Sequence, residues 1–213
     1  YLDIRDIFVD TIKDVLPARA SRVLHPFFSL IERLTIDQAK KVNLVSEGFL
    51  SYFQTRHPKH SYSCFTNGID DAFLERSHNK LGESEHKPSS LIKVLYAGNI
   101  GEGQGLHNIL PKLAKKLEGR AEFIIIGDGG KRKILEAVCA EAGCDNISIL
   151  PPVNRSNLIE AYQQADVLFL HLNDYPAFEK VLPSKIFEYA AMGKPIWAGV
   201  GGYAAKFVNE EID

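Results

Sequence analysis

The 213-residue sequence predicts an α/β protein containing a doubly wound parallel sheet. Three observations carry that reading. Short apolar runs rich in β-branched and aromatic residues recur at 92–98 (IKVLYAG), 121–127 (AEFIIIG), 146–150 (NISIL), 166–171 (DVLFLH) and 194–199 (KPIWAG). Such continuous runs suit strands covered on both faces. Stretches with helical spacing separate them, at 104–118, 130–142, 155–165 and 184–192, the first marked by Leu106, Ile109, Leu110, Leu113, Ala114 and Leu117. Strands alternating with helices build a parallel sheet, which binds ligands at the carboxyl ends of its strands.

The elements before these runs read as a separate α/β part. YLDIRDIFVD opens inside a strand and runs into a loop, with no Met at its start. KVNLVS (41–46) reads as a strand, GFLSYFQTRH as a helix, and YSCFTNGID as a strand with its exit turn. LGESEHKPSS lacks periodicity and is rich in Ser, Glu and Lys, the composition of a linker. The expected organisation is a first domain over 1–70, a linker over 71–90 and a second domain over 91–213. VNEEID ends the chain just after a helical pattern, so a piece of a longer protein is expected.

Composition narrows the function classes. Hydrophobic residues make up 45% and charged residues 24%, enough for a core in one or two domains. A net charge of −2 gives no global basic field, so no nucleic acid partner is expected. Cys64, Cys139 and Cys144 are odd in number and lack a CxxC spacing, which reads as free thiols in a reducing compartment. No apolar run reaches the roughly 18 residues of a membrane span, and no signal-peptide pattern is present. Charge is uneven: residues 11–60 hold eight Lys and Arg against four Asp and Glu. Within them, residues 13–33 mix Arg19, Arg22 and Arg33 with Leu24, Phe27, Phe28 and Leu30. That mixture suits either an anionic membrane surface or a surface helix packed on its own domain.

Four stretches carry candidate chemistry. In YAGNIGEGQGL (96–106), Gly98, Gly101, Gly103 and Gly105 connect a strand end to a helix start. Glycine lets a ligand approach the backbone, and a helix N-terminus favours phosphate, although a tight turn would need the same glycines. The dinucleotide pattern GxGxxG does not fit, because position 106 is Leu. GDGGKR (127–132) also joins a strand to a helix, with Asp128 as a helix cap or a ligand contact. PPVN (151–154) follows a strand at the same level and could offer backbone groups to a base; Asn154 or Ser156 suits an N-cap. In PSKIFEYAAMGKPIWAG (183–199), Pro183 suits a helix start, Ser184 and Lys185 fall in the first turn, and Gly193 suits the C-terminal end. Glu188 lies on the same face as Ser184. Its carboxylate could accept hydrogen bonds from both hydroxyls of a ribose, or pair with Lys185 three residues before it.

Together these stretches resemble the donor-binding domain of a GT-B glycosyltransferase of the retaining glycosyltransferase family 4. SYSCFTNGID is similar to the family's PNG(V/I)D exit from the acceptor domain, KVNLVSEGF to its VSE strand-turn-helix, and YLDIRDIFVD to a DIRD loop in a subset of members. GNIGEGQGL with PSKIFEY looks most like bacterial enzymes that add L-fucosamine-type sugars in O-antigen or capsule assembly. The resemblance implies two Rossmann-like domains facing across a cleft, with a nucleotide diphosphate sugar held mainly on the second. It places Glu188 on the nucleotide ribose, Ser184 and Lys185 at the helix start that meets the diphosphate, Gly98, Gly101 and Gly105 beneath the phosphates, and the Val153 backbone against the base. Many members carry Arg at the position of Asn99 and Lys at that of Gln104, so two diphosphate cations are missing here. An acid common eight residues before Glu188 is replaced by Lys180, with Glu179 one residue earlier. Lys180 or Lys185 would supply the missing charge. Arg5 falls about where many relatives keep a catalytic histidine; Asp3, Arg5 and Asp6 would face the cleft, or Arg5 and Asp6 would pair locally.

The implied reaction is retaining transfer of a hexose from a UDP-linked donor, without a protein-bound cofactor, to a lipid-linked glycan at the inner face of the cell membrane. The absence of an Asp-x-Asp triplet fits metal independence. Two other classes remain open on the sequence: an NAD-type oxidoreductase or epimerase using Asp128 for the ribose, and a non-catalytic sugar-nucleotide-binding partner, motivated by Asn99 and Gln104. With much of the first domain absent, nucleotide binding without useful turnover is the expectation for this chain.

Overall fold

The computed structural model describes residues 1–78 and 91–212, and the greater part of the expected linker, 79–90, lies outside them. The chain divides into two compact units: residues 1–68, 174–184 and 200–213 form the first, and 69–173 with 185–199 form the second. The sequence reading assigned 91–213 to one domain; by contacts, 174–184 and 200–213 group with the first unit instead.

In the second unit, strands β4 (Ile92–Asn99), β5 (Ala121–Asp128), β6 (Ile147–Leu150), β7 (Val167–His171) and β8 (Ile196–Gly199) form one sheet. All pairings are parallel, in the order β6-β5-β4-β7-β8. Each of these strands, and the helices at 106–116, 132–141, 155–164 and 185–191, lies within two residues of the range the sequence predicts. The strands read as apolar runs because both faces are covered. On one face, helices α5 (Leu106–Lys116) and α6 (Arg132–Glu141) bury Leu106, Leu110, Ala114, Leu135 and Cys139 against Val94, Tyr96, Phe123, Ile125 and Phe169. On the other lie α4 (Asp71–His78), α7 (Arg155–Gln164) and α8 (Lys185–Ala191), linked by ring contacts from Phe73 to Tyr162 and from Tyr162 to Tyr189. Residues 71–78, expected to begin the linker, are therefore the helix α4: Phe73 is 1% exposed, and burial of one aromatic anchors a segment with little periodicity.

The strand order fixes where a ligand can sit. The chain winds outward from β4 through β5 to β6, then crosses back to β7 and β8 on the other side of β4. Connections after β4 and β7 therefore diverge, and a crevice opens at their carboxyl ends.

The first unit holds the parallel strands β1 (Leu2–Ile4), β2 (Val42–Leu44) and β3 (Tyr62–Cys64), in that order. Ile7, Ile36, Val42, Leu44, Val45, Phe49 and Phe53 form its core. Buried Asn43 ties the strands together: its side chain donates to Asp3 Oδ1 (2.8 Å) and the Phe65 carbonyl (3.0 Å), and accepts from the Phe65 amide (2.9 Å). Helices α1 (Phe8–Val15) and α2 (Ala18–Gln38) follow β1, and α3 (Leu50–Arg56) follows β2. The return segment docks by its backbone, with Ser46 Oγ donating to the Lys180 carbonyl at 2.6 Å. Helix α9 (Gly202–Glu211) begins at Gly202, whose φ of 56° and closeness to the Glu179 carbonyl exclude a side chain.

Candidate functional site

A cavity of about 330 Å³ lies at the carboxyl edge of the second unit's sheet. Ala97, Gly98 and Asn99 of β4, Ile126, Gly127 and Asp128 of β5, Pro152 and Val153 after β6, Leu158 of α7 and Lys185 of α8 line it. Five candidates chosen from the sequence, Gly98, Asn99, Asp128, Val153 and Lys185, thus share one cavity.

Glycine at position 98 makes room for the lysine. A Cβ there would lie 2.5 Å from Lys185 Cε, so the lysine stem rests directly on the end of β4. Burial pulls the Lys185 pKa below the ordinary lysine value, and the nearby Glu188 carboxylate opposes that shift. Lys185 Nζ lies 3.7 Å from Glu188 Oε2, the pair expected from their spacing. The same oxygen accepts a hydrogen bond from the Tyr162 hydroxyl at 3.0 Å. A carboxylate inside an apolar helix is thus held by a tyrosine from α7 and a lysine one turn before it. Helix α8 ends as expected, with Gly193 at φ 59°.

The glycine loop is closed by neutral groups. Gln104 Oε1 accepts from Asn99 Nδ2 at 3.0 Å and from the Gly101 amide at 3.2 Å. The two positions expected to lack cations therefore form an amide clasp across the loop. Gly105 adopts φ 59° as the residue before α5, and a Cβ there would collide with the Asn173 side chain. Asn173 in turn donates to the Glu102 carbonyl at 2.6 Å, while its amide donates to the Gly103 carbonyl at 2.8 Å. His171 Nδ1 lies 2.7 Å from the Gln104 carbonyl; because a carbonyl only accepts, Nδ1 carries the proton. The loop after β4 is thus stitched to the end of β7, across the point where the winding reverses.

Asp128 accepts from the Gly129 amide at 2.8 Å and caps its own turn rather than α6, whose preceding residue is Lys131. Arg132 donates to the Gly127 carbonyl at 2.7 Å and reaches those of Leu150 and Ile149, tying β5 to β6 beside the cavity. Asn154 caps α7 through the Asn157 amide at 2.9 Å.

The remaining candidates lie in the first unit. Pro183 and Ser184 end its return segment. Lys180 pairs with Asp10 at 2.9 Å and lies over the Tyr52 ring. Arg5 pairs with Asp3 at 3.1 Å, not with Asp6 as the local-pair reading had it; Asp6 instead accepts from the Thr11 hydroxyl at 3.1 Å. Desolvation raises the Asp6 carboxyl above its ordinary value, against the Thr11 hydroxyl and the Ile7 amide. All three cysteines are free, with burial pushing Cys139 up to about 11. Among the described residues no group of His, Cys, Asp and Glu is placed to hold a metal ion, and no helix is long and apolar enough to cross a membrane.

Tyr162, His171, Asn173 and Arg132 were not singled out in the sequence. Tyr162, His171 and Asn173 act through partners distant in sequence, and Arg132 through backbone carbonyls of two strands, so no local pattern marks them.

The α/β fold with parallel sheets matches solved glycosyltransferases. WaaG, a glycosyltransferase involved in lipopolysaccharide biosynthesis, aligns over 92% of this chain and 57% of its own, with TM-score 0.62 and 20% identity. Sucrose-phosphate synthase from Thermosynechococcus elongatus aligns over 99% and 53%, with TM-score 0.72 and 17% identity. Anabaena HepE, solved with UDP and glucose, aligns over 80% and 47%, with TM-score 0.59 and 18% identity. In sequence, WcaI of Escherichia coli (strain K12), whose name assigns it to colanic acid biosynthesis as a glycosyl transferase, is 27% identical over 165 residues. That match covers 78% of this chain and 38% of WcaI, so the chain spans well under two thirds of these relatives. The model of the family "Glycosyl transferases group 1" matches residues 78–212, the stretch that holds the cavity, the glycine loop and the Lys185–Glu188 pair. By that match the chain belongs to the glycosyl transferases group 1 family.

Proposed function

We propose that the second unit is the donor-binding part of a family 4 retaining glycosyltransferase that moves a hexose from a UDP-linked sugar to a lipid-linked glycan. The observation that carries this reading is the shared cavity, which gathers Gly98, Asn99, Asp128, Val153 and Lys185 at the carboxyl edge of the sheet, while Glu188 stands one turn along the same helix as Lys185. The nucleotide base would lie against Val153, the ribose hydroxyls on Glu188, and the diphosphate over Gly98, Gly101 and Gly105 beside Ser184 and Lys185. Lys185 is the catalytic cation of the reading, stabilising the charge that develops as the diphosphate leaves. The Asn99–Gln104 clasp holds the loop in shape and leaves the charge to lysine; Lys180, bound to Asp10, is the weaker of the two lysine candidates. Arg5 and Asp6 would serve the acceptor side, and the sugar class is an L-fucosamine-type N-acetylated deoxyhexose. Membership of a glycosyl transferase family sets aside the oxidoreductase alternative.

Membrane contact through residues 13–33 belongs to the same proposal. Helix α2 exposes Val23, Phe27, Leu30 and Leu34 on its outer side, with Arg19 and Arg22 also exposed. An apolar stripe beside arginines suits an anionic bilayer surface.

The test of the donor site is calorimetric titration with UDP, GDP and NAD, on the wild type and on Glu188→Ala. Binding of UDP that weakens in the variant supports the reading. A folded protein that binds no nucleotide sinks it.

A further inference from the structure

We propose that Tyr162 is a positioning residue that sets the Glu188 carboxylate for a ribose diol; this rests on the donor-domain reading above. Two observations carry it. Both protein partners of Glu188 fall on one oxygen: the Tyr162 hydroxyl at 3.0 Å and Lys185 Nζ at 3.7 Å each address Oε2. Oε1 has no partner among the described residues. A carboxylate rotates freely about its last bond unless one oxygen is pinned, and a hydroxyl donor pins it more directionally than an ammonium at 3.7 Å.

Tyr162 is itself immobile. It is fully buried, its ring meets Tyr189 edge-on at 5.3 Å and stacks on Phe73 at 6.0 Å with an inclination of 28°. Tyr189 is anchored in turn, its hydroxyl donating to the Phe169 carbonyl at 3.2 Å. Burial and the neighbouring carboxylate raise the Tyr162 pKa, so its hydroxyl remains a donor throughout the working pH range. The chain of contacts from the sheet through Tyr189 and Tyr162 ends on Oε2. It leaves Oε1 as the acceptor for a ligand hydroxyl, with Oε2 able to take a second.

The ligand class follows from this geometry: a ribonucleoside diphosphate, read through its hydroxyls, over the 2′-deoxy form. The experiment compares UDP with 2′-deoxy-UDP on wild type and on Tyr162→Phe, with thermal unfolding as a fold control. A charge-assisted hydrogen bond predicts about tenfold preference for UDP in the wild type. In Tyr162→Phe the preference falls to about twofold, while 2′-deoxy-UDP affinity changes by less than about twofold. In a Glu188→Gln background, Tyr162→Phe has no further effect on the ratio. Equal weakening of both nucleotides in Tyr162→Phe would show a merely structural tyrosine and overturn the inference while leaving the donor reading intact. A wild type that binds neither nucleotide overturns both.

Discussion

Glu32 in the first unit and Glu188 in the second begin from the same local chemistry. Each carboxylate accepts a tyrosine hydroxyl and has a cation nearby. Their completion differs. Both oxygens of Glu32 lie within reach of the Tyr52 hydroxyl, at 3.3 and 3.1 Å, and Oε1 also meets His57 Nε2 at 3.4 Å and Arg56 at 3.8 Å. At Glu188 both contacts fall on Oε2. The Glu32 side chain is 12% exposed and that of Glu188 24%. A carboxylate whose lone pairs are filled by its own fold holds structure. One left half-filled beside a cavity keeps acceptor capacity for something that comes and goes.

The sharpest way to break this comparison is to delete each acid. Glu32→Ala leaves the Tyr52 hydroxyl and the His57 ring without an acceptor, so it should destabilise the protein by about 2–3 kcal/mol in urea unfolding. UDP affinity should not change. Glu188→Ala should cost about 10- to 100-fold in UDP affinity. It also strands the buried Tyr162 hydroxyl, so it should lose about 1 kcal/mol of stability, less than Glu32→Ala, which strands two groups. Equal stability losses in the two variants would erase the distinction.

A second effect, of about tenfold, comes from pH. The Lys185 pKa is lowered by burial, and a diphosphate favours the protonated lysine. Binding therefore takes up protons once the pH reaches that lowered pKa. UDP affinity should be flat below it and decline as the pH rises through it. The sign is opposite for folding: the unfolded chain holds the lysine proton more tightly, so this group's penalty on stability lessens as pH rises through the window. In Lys185→Arg the decline of affinity with pH should vanish, which calorimetry across pH would show.

A smaller effect, about three- to tenfold on UDP affinity, is expected of Gly98→Ala. Its Cβ displaces the flexible lysine stem, and the φ of 158° held there strains an alanine, so a lowered unfolding midpoint should accompany the moved lysine. Smallest of all, Gln104→Ala opens the amide clasp and should weaken UDP by about twofold, because the loop keeps its bonds to Asn173 and His171.

The second unit was more legible in the sequence than the first, for a physical reason. Strands such as β4 and β5 are buried on both faces, so composition alone marks them, and glycines at their ends mark the turns. Helix α2 turns Val23, Phe27 and Leu30 outward, so apolar periodicity there does not point to the core. Helix α4 is held by Phe73 against α7, a contact that no local pattern announces. At the candidate site, Lys185, Glu188 and the glycines stood out because helix starts and strand exits have recognisable residue choices. Tyr162 did not, since a buried tyrosine in a helix usually only fills space.

The path of the chain has a consequence for how such a protein can be rearranged. The chain leaves the second unit after residue 173, returns at 185 and leaves again after 199. Lys185, Glu188 and the edge strand β8 therefore belong to a piece spliced in from beyond an excursion. A single junction before residue 69 carries the second unit whole only together with two segments of the first, 174–184 and 200–213. A graft of the second unit alone must bridge the gap left by 174–184, or stop at residue 173 and leave its lysine and its half-filled carboxylate behind.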